Sequence, residues 1–420
     1  MILKNAKLYG QEGTWNIEII NGKIEKITPN TTNEEKDSKK QIIDLNGNLV
    51  LPPFVEPHIH LDYVLTAGTP RWNQSGTLFE GIQCWSERKN IITETKVDIK
   101  NRALKALGMQ IKHGIQHVRT HVDITDPRLL GLQALLEVKE EIKPWLDLQL
   151  VAFPQEGIYA YPKGDELLEE ALIMGADVVG GIPHYELTRE DGVKSVKKSL
   201  ELAYKYGKMV DIHCDEIDDE QSRFLEVVAA ESYKLGMGEL VTASHTTAMG
   251  SYNDAYTYKL FKLLKQSSIH FVALPKANLH LQGRFDNYPK RRGITRVKEL
   301  LESDINVCFG LDSIMDPWYP LGDGNLMRVV EVGLHACHMT GYNDIVTALD
   351  FITVNGAKTL NIQGEYGIKE GNKANLIVLD TNSEYEAIRC QSPILYSIRN
   401  GEIIVETKPA VTKINIPVFS

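Results

Sequence analysis

Four short stretches place imidazoles and carboxylates at the ends of apolar runs. EPHIH carries His58 and His60, DIHCDE carries His213 and Glu216, TASH ends in His245, and FGLDS carries Asp312 and Ser313. Residues two apart on an extended segment share a face, so His58 and His60 point the same way. Imidazoles and a carboxylate gathered from separate strand ends make a donor set suited to Zn²⁺, Fe²⁺ or another divalent first-row metal. An isolated HxH says little, because a lone strand-end histidine more often packs or caps. The coincidence at several independent strand ends is what points to a metal. His117, His121 and His184 also close apolar runs and are read as packing residues. Glu216 opens an acidic stretch where carboxylates suit a helix N-terminus, yet it follows His213 at a strand mouth, which favours proton transfer.

The elements that must position these residues are eight apolar runs rich in Val, Ile and Leu. They are LVLPPFVEPHIH (49 to 60), QHVRTHVD (116 to 123), LDLQLVAFPQ (146 to 155), DVVGGIPH (177 to 184), KMVDIHCDE (208 to 216), LVTASHT (240 to 246), IHFVALP (269 to 275) and INVCFGLD (305 to 312). Continuous apolar runs suit parallel strands buried on both faces. Helical patterns such as VKSVKKSLELAYKYG and DAYTYKLFKLLKQS alternate with them. The spacing predicts a (β/α)₈ barrel of the TIM type, with an open parallel sheet as the alternative. In such a barrel the active site gathers at the C-terminal strand ends.

The flanks alternate in short β-like pieces, with turn signals at Asn21-Gly22 and Asn46-Gly47. Residues 1–48 and 364–420 are expected to pair into one small β-sandwich domain, with the catalytic barrel (49–363) inserted between them. A chain of 420 residues exceeds one ordinary core, in keeping with two domains. Its 43% hydrophobic and 24% charged residues are ordinary globular usage, and no run approaches the ~18 to 20 apolar residues of a membrane span. The start, MILKNAKLYG, lacks the pattern of a secretory signal, and five scattered cysteines without a CxxC pair suit a reducing cytoplasm. A formal charge of −10 argues against nucleic-acid partners, and Lys290-Arg291-Arg292 reads as a solvated turn.

Longer stretches carry more. EPHIHLD, TAGTPRWNQSGTLFEGIQCWSERK, HVRTHVD, VAFPQEG, HCDEIDDEQSRF, ASHTTAM, HLQGRFDNYPKRRGITRVKELL and DPWYPLG occur in that order through nearly the whole chain. Together they resemble the bacterial cytosine deaminases of the amidohydrolase superfamily, whose relatives include creatinine and 5-methylcytosine deaminases. The resemblance implies one divalent ion, Zn²⁺ or Fe(II), on His58, His60, His213 and Asp312. It further implies that Glu216 shuttles protons, that His245 polarises the attacking water, and that Gln155 orients the substrate's carbonyl or ring nitrogen. Asp312 would take the water's proton. Trp318 would stand beside the pocket, and the segment with Trp72, Asn73, Phe79 and Trp85 would cover the substrate. His184, where two-metal relatives carry a lysine, implies a single ion, and the tail KPAVTKINIPVFS implies a homo-oligomer.

Three positions depart from the family pattern. Ser313 stands where a second Asp is usual, Leu311 replaces a His, and Leu274 replaces an Asn. Each change removes charge or polarity beside the expected substrate, and an unmatched buried polar group costs ~1 to 3 kcal/mol, enough to switch ligands. The expected activity is therefore release of ammonia from a small cyclic amidine, with creatinine or a cytosine-type base as substrate. 5-Methylcytosine and isoguanine are the alternatives. From other classes stand a cyclic amide hydrolase and a non-catalytic scaffold. The H-x-E and P-C-x-x-C signature of the deaminases that flip bases out of nucleic acid is absent.

Overall fold

A computed structural model describes residues 1–30, 41–91 and 94–415. Apolar runs buried along most of their length form eight parallel strands: β1 (Phe54–Ile59), β2 (Ile115–Asp123), β3 (Asp147–Phe153), β4 (Val178–Gly181), β5 (Met209–Cys214), β6 (Val241–His245), β7 (His270–Ala273) and β8 (Val307–Phe309). They pair in sequence order, each parallel to the next. Closure occurs at the chemistry-bearing end. Asp312 bridges to Ile59, its N–H donates to the His58 carbonyl at 2.8 Å, and its own carbonyl accepts from the His60 N–H at 3.2 Å.

Helices fill the connections where the 3.6-residue pattern places them. Arg189–Tyr206 starts at Thr188, whose hydroxyl accepts the Asp191 N–H, and stops at Gly207 with φ 61°. Asp254–Ser267 is likewise capped by the Asn253 side chain, which accepts from the Tyr256 N–H. These caps satisfy donors that a helix cannot satisfy internally.

The chain divides into two compact units. The larger comprises Phe54–Ile111 and Ile115–Tyr366; the smaller comprises Met1–Pro53, Lys112–Gly114 and Gly367–Ser420. The smaller unit is a mixed sheet built from both termini. Ile2–Leu8 pairs with Trp15–Ile20, Ile42–Asp44 and Leu49–Leu51, and Leu49–Leu51 passes the sheet on to Leu376–Leu379. Its core includes Leu3, Ile17, Ile24, Leu376, Val378 and Ile398. Asn21-Gly22 turns a hairpin with φ of 49° and 76°, the positive pair that such turns require.

One expected run is divided. The sequence reads residues 49 to 60 as one apolar run, but Leu49–Leu51 belongs to the terminal sheet and only Phe54–Ile59 to the barrel. Pro52 and Pro53 separate them, because proline offers no N–H to a ladder. Residues 408–415 of the tail are exposed and carry no regular structure, and 416–420 lie outside the described residues. Among the described residues no helix is long and apolar enough to cross a membrane.

Candidate active site

The barrel mouth collects the expected side chains from β1, β5, β6 and the turn after β8. His60 Nε2 lies 3.1 Å from His213 Nε2 and 3.7 Å from Asp312 Oδ1, and His58 Nε2 lies 3.5 Å from the same carboxylate oxygen. His245 Nδ1 is 3.2 Å from Glu216 Oε1 and 3.0 Å from Asn278 Nδ2. Donor atoms fall within 4.8 Å of one another in three overlapping groups: His58, His213 and His245; His58, His60 and His121; Glu216, His245 and Asp312. The four expected ligands are spread over these groups, and His121 joins them. His245 and Asp312 both have φ of 67°, a left-handed conformation uncommon for such residues and one that surrounding structure must hold.

Two buried supports fix β1. The Glu56 carboxylate accepts from the His58 N–H at 2.8 Å and from the Leu311 N–H at 3.0 Å, tying the first strand to the turn after the last. A Cβ on Gly310 would lie 2.9 Å from Glu56 Oε1, so that position needs glycine. The second support begins at His58 Nδ1, 3.0 Å from Ser244 Oγ. That hydroxyl donates to Asp211 Oδ1 at 2.6 Å, and Arg119 donates to Asp211 Oδ2 at 3.0 Å. Because Ser244 spends its hydrogen on Asp211, its oxygen is left to accept from His58 Nδ1–H, which puts the free lone pair on Nε2.

Burial sets the electrostatics. It lowers the pKa values of His58, His60, His213 and His245 well below the usual imidazole range, aided by neighbouring imidazoles, with His121 acting on all four and His184 on His245. Glu216 and Asp312 are pushed well above the carboxylate range, first by burial and then by Asp312 in the one case and Asp316 in the other. Neutral imidazoles with lone pairs facing inwards are ligand-competent.

The cavity above this cluster is lined by the polar residues Gln155, Glu216, Asp312 and Ser313 and by the apolar residues Phe79, Ile82, Ile217, Leu281 and Trp318. The Gln155 amide oxygen accepts the Tyr63 hydroxyl at 2.8 Å. Ser313 donates to Asp316, whose pKa burial raises to about 7. Trp318 packs where a Cβ on Gly81 would approach within 2.5 Å of its ring. His184, on the turn after β4, also lines the cavity, and burial lowers its pKa to about 4.

Not every expected residue reaches this space. Leu274 caps the helix Pro275–Leu281 and is buried in an apolar cluster with Tyr63, Trp85 and Trp318, so it packs behind the cavity rather than lining it. Of the covering segment, Phe79 lines the cavity. Trp72 is exposed, Trp85 donates to Asp123 Oδ2 at 2.9 Å, and Asn73 donates to the Pro317 carbonyl at 3.0 Å. Tyr63, Glu56, Asp211, Ser244 and Asn278 went unforeseen. Asp211 and Glu56 did leave a signal, since a carboxylate inside an apolar strand must have a partner.

A profile of the Amidohydrolase family matches residues 41–405. This chain belongs to the amidohydrolase family. The amidohydrolase is 30% identical over 417 residues to N-isopropylammelide isopropyl amidohydrolase of Pseudomonas sp. (strain ADP), covering 98% of each chain. Its structure is similar to 5-methylcytosine deaminase from Klebsiella pneumoniae liganded with 5-fluorocytosine, at 56% identity and a TM-score of 0.95 over 100% of both chains. It shares its fold with N-isopropylammelide isopropylaminohydrolase from Burkholderia multivorans, at 23% identity and a TM-score of 0.82, covering 96% of this chain and 97% of the other. The His and Asp groups of this amidohydrolase could hold a divalent metal.

Proposed function

We propose that this amidohydrolase deaminates a cytosine-type free base, 5-methylcytosine included, with one divalent ion, Zn²⁺ or Fe(II), on His58, His60, His213 and Asp312. One observation carries the proposal. The cavity over the imidazole–carboxylate cluster is lined both by polar groups able to read a heterocycle's edge and by apolar side chains able to cover its ring, in a chain 56% identical end to end to a 5-methylcytosine deaminase.

The residues fit an ion. His58 Nε2 and His245 Nε2 are buried nitrogens without a hydrogen-bond partner, and the Nε2 atoms of His60 and His213 face each other across the same space. The separations of 3.1, 3.5 and 3.7 Å compare with the roughly 3.0 to 3.6 Å between donors that bind one ion at ~2.0 to 2.2 Å. When bound, such an ion supplies Lewis-acid activation and lowers the pKa of water towards ~7.

The protein groups divide the remaining work. Asp312 takes a proton from the attacking water, and Glu216, within 3.2 Å of His245, delivers a proton to the ring nitrogen beside the amino-bearing carbon. Protonation makes that carbon electrophilic and water adds; the proton held by Asp312 passes to the amino group, the C–N bond breaks and ammonia leaves, and the remaining hydroxyl proton returns to Glu216 as the new carbonyl forms. His245 turns its unpartnered Nε2 towards the water. Gln155 reads the ring edge, while Phe79 and Trp318 exclude solvent. Ser313, turned to Asp316, is a smaller side chain beside Asp312 than a second carboxylate, a difference that suits a ring methyl.

Ammonia release from metal-loaded protein offered 5-methylcytosine, cytosine, creatinine and isoguanine in parallel tests the proposal. Turnover of the pyrimidines supports it, and silence with both overturns it. We also infer a cytoplasmic homo-oligomer. All five cysteines are unpaired, and the exposed tail presents Val411 and Ile414. A monomer by light scattering would contradict the assembly.

A further inference from the structure

We propose that Tyr63 is a positioning residue that fixes which edge of the Gln155 amide meets the substrate, and so selects rings carrying a carbonyl oxygen at that edge. The inference rests on the deaminase function proposed above and adds a specificity residue to it.

The Tyr63 hydroxyl donates to Gln155 Oε1 at 2.8 Å, and both residues are buried, at 1% and 5% exposure. An amide whose oxygen is occupied turns its NH₂ the other way. Among the described residues Gln155 Nε2 makes no hydrogen bond, and Gln155 lines the cavity. The cavity therefore receives a donor. A ring carbonyl accepts it, whereas a ring N–H at the same place would set donor against donor and leave a buried group unpaired.

Tyr63 is itself held from three sides. Its ring stacks on His60 at 4.7 Å with an interplanar angle of 4°, and on Trp318 at 5.0 Å and 26°. Trp85 lies 4.4 Å away and is anchored through its indole N–H to Asp123. Lys89 joins Asp123, at 2.8 Å, to Glu156, at 2.7 Å, the neighbour of Gln155 in the chain. The phenol cannot swing without disturbing this assembly.

Steady-state kinetics on 5-methylcytosine with Tyr63→Phe, Gln155→Ala and the double variant test the inference. Phenylalanine keeps the ring stack and removes only the donor. The single Tyr63→Phe change should raise KM roughly three- to tenfold, the worth of one neutral hydrogen bond, with kcat within about twofold. In the Gln155→Ala background it should add nothing, because Tyr63 would have no amide left to orient. An unchanged KM, or an effect that persists undiminished without Gln155, overturns the role of Tyr63. A wild-type protein that releases no ammonia from any pyrimidine overturns the substrate assignment, and this role with it. Active wild type beside an unaffected variant overturns the role alone.

Discussion

The Nε2 atoms of His60 and His213 face each other at 3.1 Å, one from just beyond β1 and the other from β5. Both imidazoles are buried, and their burial favours the neutral form. A single hydrogen bond could join the pair, but that would leave His58 Nε2 without a partner close to the same carboxylate. One cation, as proposed above, would serve all of them. That ion would account for His58 and His60 converging on Asp312, with His213 beside them, where apolar packing would be cheaper.

Replacing His213 with Ala should remove the ion. Elemental analysis of the purified variant is expected to show metal per chain near zero, against near one in the parent, with activity lost in proportion. Full metal content in the variant would place the ion elsewhere.

Ser244 acts on the same centre from behind. Its hydroxyl holds His58 Nδ1 and is itself held by Asp211. Ser244→Ala should weaken metal affinity roughly 10- to 100-fold, the usual effect of removing a group that orients a ligand. Competition with a chelator measures it; an unchanged metal dissociation constant would show that His58 needs no such support.

Glu216→Gln keeps the shape of the side chain and removes its titratable proton. The expected result is a fall in kcat of roughly 10²- to 10⁴-fold with metal content unchanged. Parent-like turnover would assign the proton transfer to another group.

A pH effect belongs at the opposite end of the barrel. His270, at the start of β7, is 3.1 Å from Asn306 Nδ2 through Nδ1 and 3.2 Å from the Glu239 carbonyl through Nε2. The amide donates and the carbonyl accepts, which describes a neutral ring. Burial lowers its pKa from 6.5 to about 4. Between those values the unfolded chain binds a proton that the native ring refuses, so this contribution is intact above about pH 6.5 and lost as pH falls towards 4. The drop in Tm between pH 7 and 4.5 should be smaller in His270→Asn than in the parent. Equal drops would show that His270 does not contribute.

Much of the architecture was legible because barrel strands are buried on both faces and so read as unbroken apolar runs. His58, His60, His213, His245 and Asp312 were legible for a related reason, since each interrupts such a run at its end. Pro52-Pro53 does not stand out as a divider, because the runs on either side are equally apolar. The supports around the site depend on closure of the barrel. Ser244 and His58 are 186 residues apart, and nothing local in either segment announces the other. Leu274 shows a further limit: its position beside a strand end was legible, but its side-chain direction, into the cluster around Trp318, was set by the helix it caps.

The most direct test of the central claim is a product balance on 5-methylcytosine. Metal-loaded protein should yield ammonia and thymine in equal amounts, and the chelated protein neither. Absence of both products from the loaded protein, or a ring-opened product in place of thymine, would contradict the deaminase assignment.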